Sequence, residues 1–389
     1  MANIKLATSD RSQLIVQSEI RNMTIECTRV NGINLAQGVC DLDLPGPVGK
    51  GAKRAIDDGI NHYTRYDGLP IIRQAIASKF RGFNGIDIDP ESEVIVTAGA
   101  TGAFYAACLA LLNPGDEVIV LEPYYGYHVN TILASDAVPV LHRLAPPDWT
   151  IDTDALQALV TPRTKGIVVN TPMNPSGKVF SKEEIEALAD FVLDNDLFLF
   201  SDEIYEYFVY DGLKHLSPFS LDGIRDRTVV ISGYSKTFAI TGRRIGYAVC
   251  DARWAQTIGY VSDLVYVCAA APLQVGVAQG IMDLGPEYYD EVARIYEDKR
   301  DRIVAALREG GLEPHPPHGA YYVLADVSHV PGRGSKAKAL SILEKTGVAG
   351  VPGCAFYHDD GGEDLIRFCF AKRDGVLDEA CHRLSSLRT

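Results

Sequence analysis

One lysine sits among small and hydroxyl-bearing residues in the stretch Ser232-Gly-Tyr-Ser-Lys236-Thr-Phe-Ala-Ile-Thr-Gly-Arg-Arg244-Ile-Gly-Tyr247. It follows an apolar run, 228–232, that reads as a buried strand, and a second cation, Arg244, comes eight residues later. A lysine leaving a core strand among apolar neighbours is poised for a depressed pKa and a nucleophilic amine. Schiff-base chemistry requires that. The plain alternative is a lysine in a surface loop, and other segments of the chain weigh against it.

Three more segments place polar residues directly after apolar runs. Asp202, in Ser201-Asp-Glu203-Ile-Tyr205, follows the run 197–200; a carboxylate there is costly unless a cation meets it. Glu203 reads as an acid opening a helix, favoured by the helix dipole. Asn174, in Asn170-Thr-Pro-Met-Asn174-Pro-Ser-Gly177, sits on a turn fixed by proline and glycine, which could equally be an ordinary Asn-Pro turn. Gly99-Ala100-Thr101-Gly102 lies between a strand and a helix start, where free amide N–H groups suit a phosphate. By itself such a small-residue turn can be simple tight packing. Together these parts describe a site for a pyridine ring with a phosphate tail: an anion-binding turn, a carboxylate for a ring nitrogen, donors for a ring oxygen, and a lysine for an aldehyde.

The elements that must carry these residues alternate. Apolar runs predict strands at 94–97, 117–121, 138–141, 166–170, 197–200, 228–232 and 245–249, and continuous runs of this kind suit strands buried on both faces of a mostly parallel sheet. Ligands then bind at the carboxyl ends of those strands. The turn at 99–102 leads into a helix over 103–112, and Ser181-x-x-Glu184 is a capping box opening another. Pro70 fits the first turn of a helix using Ile71, Ala75, Ile76 and Phe80. The fold class is therefore α/β, with a seven-stranded, mostly parallel sheet in a large domain, 46–285. The chain ends, 1–45 and 286–389, are expected to form a smaller α+β domain. Its predicted elements are a helix over 15–28, a strand at 32–36, a long helix from Pro286 to Gly310, strands at 321–324, 348–351 and 365–370, and a helix over 336–344.

Bulk properties bound the partners. With 37 Lys and Arg against 51 Asp and Glu, the net charge of −14 disfavours nucleic acid and acidic membranes. No apolar run approaches the roughly 20 residues needed to cross a bilayer. The eight cysteines show no CxxC spacing and lie mostly in apolar runs, so they read as free thiols in a reducing compartment, with no metal site. A cytoplasmic location is expected.

The chain from about Ser18 onward resembles the fold type I pyridoxal-phosphate enzymes of the class I/II aminotransferase family. The resemblance rests on ordered motifs: Tyr63-x4-Gly68, Val96-Thr-x-Gly99, Pro123-x-Tyr125-x-x-His128, Asn174-Pro-x-Gly177, Asp202-Glu-x-Tyr205, Ser235-Lys236-x7-Arg244-x-Gly246-Tyr247 and Arg367. It implies that Lys236 holds the cofactor, pyridoxal 5'-phosphate, as a Schiff base and shuttles a proton. Asp202 would pair with the ring nitrogen, Asn174 and Tyr205 with the ring oxygen, and Tyr125 would stack on the ring. The amides of Ala100 and Thr101, with Ser235 and the side chain of Arg244, would hold the phosphate. Tyr63 would reach that phosphate from a neighbouring subunit, which implies a homodimer with shared sites. Arg367 would take the substrate carboxylate as a bidentate pair, with Gly38 and Asn174 beside it. Arg367 is odd even without the resemblance, because it alternates onto the face of Leu365 and Cys369 and wants an anion. The sequence departs from the family at Gly233, three residues before the lysine, where a serine is common.

Within the family, residues 62–68, 122–127 and 366–371 look most like the kynurenine/glutamine/methionine branch. Thr101 stands where aspartate-specific relatives often carry lysine. Tyr63, Tyr66, Tyr124, Tyr125 and Tyr127 suggest an aromatic-walled pocket. The expected reaction is a ping-pong transamination from a neutral or aromatic L-amino acid to a 2-oxo acid. Cysteine-conjugate β-elimination, or specialised amino-acid chemistry on the same scaffold, is the alternative. A non-catalytic, cofactor-sensing regulatory domain would need a basic DNA-binding module, and no basic helix-turn-helix pattern is seen.

Overall fold

The computed structural model describes residues 6–15 and 18–387. The first strand, β1 (Ile33–Asn34), belongs to the amino-terminal arm. Seven strands follow: β2 (Val94–Thr97), β3 (Glu117–Glu122), β4 (Val138–Arg143), β5 (Thr164–Asn170), β6 (Phe198–Asp202), β7 (Thr228–Gly233) and β8 (Gly246–Val249). They form one sheet in the order β2-β8-β7-β6-β5-β3-β4. Every neighbouring pair is parallel except those involving β8, which runs against both β2 and β7. Strands β2, β3, β7 and β8 are buried along their whole length, because helices cover both faces. The edge strand β4 is half-exposed and carries Pro139, whose missing N–H costs nothing at an edge.

The remaining strands are β9 (Glu313–His315), β10 (Tyr322–Asp326), β11 (Val348–Ala349), β12 (Val351–Pro352) and β13 (Leu365–Cys369). Four of them make an antiparallel sheet in the order β12-β13-β10-β9. β11 pairs in parallel with β1, so the amino-terminal arm is tied to the carboxyl-terminal region.

Several sequence expectations shift. Residues 99–102 are not a separate turn; they are the first turn of the helix Gly99–Leu111. The helix from Pro70 ends at Lys79 and buries Ile72 rather than the exposed Ile71. The arm helix is Glu19–Arg29, capped by the Ser18 hydroxyl, while residues 16 and 17 of the expected range lie outside the described residues. No helix follows Glu203, because residues 204–207 form turns. The carboxylate of Glu203 is buried, accepting hydrogen bonds from Ser201 and Ser217 at 2.8 Å each and meeting His215 Nε2 at 2.7 Å. Glu203 is therefore a structural anchor beneath the loop that carries Asp202 and Tyr205. The capping box at Ser181 and Glu184 forms as expected. Among the described residues, no helix is long and apolar enough to cross a membrane.

Candidate active site

Strand register brings the singled-out residues to one edge of the large sheet. Asn170 pairs with Asp202, Asp202 with Ile231, and Gly233 with Gly246, which in turn pairs with Thr97. The segments carrying Gly99, Asn174, Asp202, Lys236 and Arg244 all leave the sheet there. Two glycines permit the close approach. A Cβ on Gly246 would collide with the Ala100 amide, and one on Gly233 would lie 2.8 Å from the Gly246 Cα. The family's serine at position 233 therefore has no room in this chain.

Lys236 is half-buried. Its Nζ donates to the Gly38 carbonyl at 3.4 Å and lies 5.9 Å from the ring centres of both Tyr205 and Tyr321. Burial pulls its pKa down to about 8; Arg244 and Arg367 push the same way, and the nearby thiols of Cys369 and Cys40 oppose them. An amine in this state is a competent nucleophile near neutral pH.

The helix Gly99–Leu111 starts without a side-chain cap and without an acidic residue in its first turn. Its first amides, including those of half-buried Ala100 and exposed Thr101, form an anion-seeking end. Gly99 adopts φ 79°, and a Cβ there would collide with the Arg244 guanidinium, which thus lies directly over the helix start. Arg244 is itself held in the left-handed region, φ 54°, an unusual cost for a residue with a side chain. Its Nη1 donates to the Thr241 carbonyl at 2.9 Å, and no carboxylate lies within 4 Å of it among the described residues. Ser235 is buried beside the lysine.

Asp202 is buried, with Oδ2 2.9 Å from His128 Nε2 and Oδ1 accepting the Ile204 amide at 3.2 Å. His128 is held by edge-on contacts with Phe104 and Tyr125. The sequence motif contained His128, but its spacing alone did not reveal this bond. Asn170 donates its side-chain amide to the Asp202 carbonyl at 3.0 Å and accepts the Asn174 amide at 2.7 Å, fixing the two loops to each other.

Arg367 is almost wholly buried, at 1% exposure. It donates to Asn174 Oδ1 at 2.8 Å and to the Ala36 carbonyl at 2.7 Å, and its Nε has no partner. No carboxylate lies within 4 Å of it among the described residues. Its guanidinium is instead sandwiched, 4.2 Å from the Tyr322 ring centre and 4.9 Å from that of Phe356. Neither aromatic was singled out from sequence; the only signal was a pair of tyrosines opening a strand. A buried guanidinium with no carboxylate beside it and a spare Nε donor suits an anion. The bond from Arg367 also turns Asn174 so that its Nδ2 end remains as a donor.

Tyr205 is buried, its hydroxyl 2.9 Å from that of Tyr322, and burial raises its pKa well above the usual phenol range. Tyr125 stacks on the half-exposed Tyr127 at 5.1 Å, and Tyr124 is half-buried beside them. Tyr66 is occupied elsewhere, edge-on to Tyr260 and against Gly259. Tyr63 is 84% exposed and makes no contact with these groups within the chain.

Comparison with known proteins agrees in scale with this architecture. The family model for aminotransferase class I and II matches residues 30–384. The chain is 36% identical over 376 residues to the probable N-succinyldiaminopimelate aminotransferase of Mycobacterium tuberculosis, covering 94% of each chain. It is 32% identical over 385 residues to aromatic-amino-acid aminotransferase 2 of Thermococcus litoralis, covering 98% of each. A solved Escherichia coli structure, described as having a methionine aminotransferase function, superposes with a TM-score of 0.94 at 32% identity, covering 98% of this chain and 100% of that one.

Proposed function

The chain belongs to the class I and II aminotransferases and is a pyridoxal-phosphate-dependent transaminase, and on that premise we propose that it moves the amino group of a neutral or aromatic L-amino acid to a 2-oxo acid in two half-reactions. The observation that carries the substrate reading is Arg367, a buried cation without a carboxylate, walled by the rings of Tyr322 and Phe356. Such a pocket fits an α-carboxylate next to an apolar or aromatic side chain. The stacked pair Tyr125 and Tyr127 extends that aromatic surface.

The residues fit the cofactor. The uncapped helix start under Arg244 supplies an anion cradle that a Cβ at Gly99 would fill, the lysine amine is depressed, and a buried carboxylate stands at Asp202. In this reading Ala100, Thr101, Ser235 and Arg244 hold the phosphate, Asp202 the ring nitrogen, and Asn174 and Tyr205 the ring oxygen. Tyr125 covers the ring. The cofactor, when bound, supplies an aldehyde that condenses with amines and a ring that accepts the electron pair released at the substrate Cα. Asp202, fixed by His128, keeps the ring nitrogen protonated. Lys236, its amine pKa drawn down to about 8 by burial, would take the Cα proton and pass it to the carbon of the cofactor that carried the aldehyde. Arg367 orients the substrate by its carboxylate, and Gly38 lets the arm lie close to the lysine without a side chain in the way.

The exposed Tyr63, with Tyr260 and Leu264 also exposed, supports a homodimer in which Tyr63 completes the partner's phosphate site. The eight free thiols suit a cytoplasmic enzyme. The large unit would span 46–285 and the smaller one 1–45 with 286–389.

The test is a single-turnover titration of cofactor-loaded protein against a panel of amino acids. Loss of the cofactor's absorption band with release of 2-oxo acid, best for aromatic and methionine-like donors, is the expected result. Preference for aspartate would overturn the substrate class, and pyruvate with ammonia from cysteine conjugates would make the enzyme a lyase.

A further inference from the structure

Tyr322 stands where three proposed functions meet. It opens β10, whose register against β13 sets Tyr322 opposite Cys369 and Leu324 opposite Arg367. Its ring centre lies 4.2 Å from the Arg367 guanidinium, and its hydroxyl meets the Tyr205 hydroxyl at 2.9 Å. A Cβ at Gly38 would collide with the same hydroxyl, so the arm presses directly on it. The residue is 2% exposed.

We propose that Tyr322 is a positioning residue with two separable duties: its ring holds the Arg367 guanidinium in place for the substrate carboxylate, and its hydroxyl aims the Tyr205 proton at the ring oxygen of the cofactor. The proposal rests on the roles assigned above to Arg367 and Tyr205. Each phenol carries a single proton. Tyr205 serves a ring oxygen as a donor only if its own proton points there, and it must then accept the proton of Tyr322. The Tyr321 hydroxyl lies 3.2 Å from the Gly38 carbonyl and also hydrogen-bonds Tyr322, lowering its pKa as a donor does, which leaves the Tyr322 proton for Tyr205. The cation above the Tyr322 ring favours negative charge on the phenol oxygen and so strengthens it as a donor. Burial raises the Tyr322 pKa to about 12, with Arg367 working against that rise. A donor chain of this kind polarises its last O–H.

Two substitutions separate the duties. Tyr322→Phe keeps the ring and removes the hydroxyl, so the affinity for 3-phenylpropionate should stay within twofold of the parent. The pH at which the cofactor-loaded protein changes its visible absorption should move up by roughly 0.3–0.5 unit, because a weakened donor stabilises the ring-oxygen anion less. Tyr322→Leu removes the ring as well, and binding of 3-phenylpropionate should weaken roughly five- to thirtyfold. Tyr205→Phe and Arg367→Leu, measured in parallel, report on the underlying roles. If Tyr205→Phe moves the absorption change and Tyr322→Phe does not, the positioning role is overturned while Tyr205 keeps its own. If Tyr205→Phe moves nothing, or Arg367→Leu binds the carboxylate normally, the site reading falls and the proposal with it. Since Tyr322→Phe preserves packing volume, a folding defect in Tyr322→Leu leaves the first comparison intact.

Discussion

The depressed amine of Lys236 should be visible as a pH dependence of folding stability in the cofactor-free protein. Its pKa falls from 10.5 to about 8, chiefly because the charged form loses solvent on burial. Between those values the unfolded chain binds a proton at this position that the folded chain does not. Unfolding therefore takes up a proton in this window, and stability rises with pH across it. Below pH 8 both states are protonated and the full penalty for burying the charge applies. Above pH 10.5 both are neutral and the penalty is gone. At about 1.4 kcal/mol per unit, a shift of this size sets a ceiling of roughly 3 kcal/mol; the amine keeps some contact with solvent, so about 2–3 kcal/mol is expected. The perturbation is Lys236→Met, which retains length and removes the titration. The assay is urea unfolding of cofactor-free parent and variant at intervals from pH 7.5 to 10.5, comparing their difference so that groups common to both cancel. Cys40 and Cys369 beside the lysine are themselves held above the usual thiol range by burial. The parent should gain on the variant steadily from pH 8. A flat difference, or a gain confined to the neighbourhood of pH 10.5, would show that the amine is not desolvated and refute the electrostatic account of its nucleophilicity.

Two further outcomes follow from the geometry. Asp202→Asn keeps the shape and the His128 contact but removes the charge facing the ring nitrogen, and kcat should fall about 100- to 1,000-fold in steady-state assays with little change in melting temperature. Gly233→Ser, which restores the residue common in the family, should lower stability by about 1–3 kcal/mol, because its Cβ would lie 2.8 Å from the Gly246 Cα and 3.0 Å from the Ile245 carbonyl. Equilibrium dialysis should detect no tighter cofactor binding in that variant.

The large sheet was readable because its strands are buried on both faces, so that runs such as Val118–Leu121 are apolar without interruption. Strand β9, only three residues with a central proline, carries no such pattern. The helix Gly46–Asp57 was missed for a different reason. Its glycines look like loop residues, yet Gly51 meets Gly276 of the helix Ala271–Asp283 in a close contact: a Cβ on Gly51 would lie 2.9 Å from Gln279 Cβ, and one on Gly276 2.7 Å from the Val48 carbonyl. The singled-out residues converge at one end of the sheet because β2, β5, β6 and β7 run the same way and finish there, and antiparallel β8 begins there. Tyr322 and Phe356 were invisible because their importance arises only where β10 and the segment after β12 fold over Arg367. Tyr66 shows the converse: an aromatic near a motif was read as a pocket wall, but Gly259 leaves room for it against Tyr260.

The pairing of β1 with β11 joins positions more than 300 residues apart, and Arg367 reaches back to the Ala36 carbonyl across a similar interval. On a ribosome making roughly 5–20 residues per second, the arm bearing Gly38 must wait some tens of seconds for its partners to emerge. Late in that time the strands that carry Asp202 and Lys236 can assemble, but the carboxylate pocket cannot close. The groups that enclose Lys236, Gly38 of the arm together with Tyr321 and Cys369, come into place with Arg367, so a nascent chain carries an ordinary protonated lysine until the fold closes, and the amine becomes reactive only as the site becomes selective.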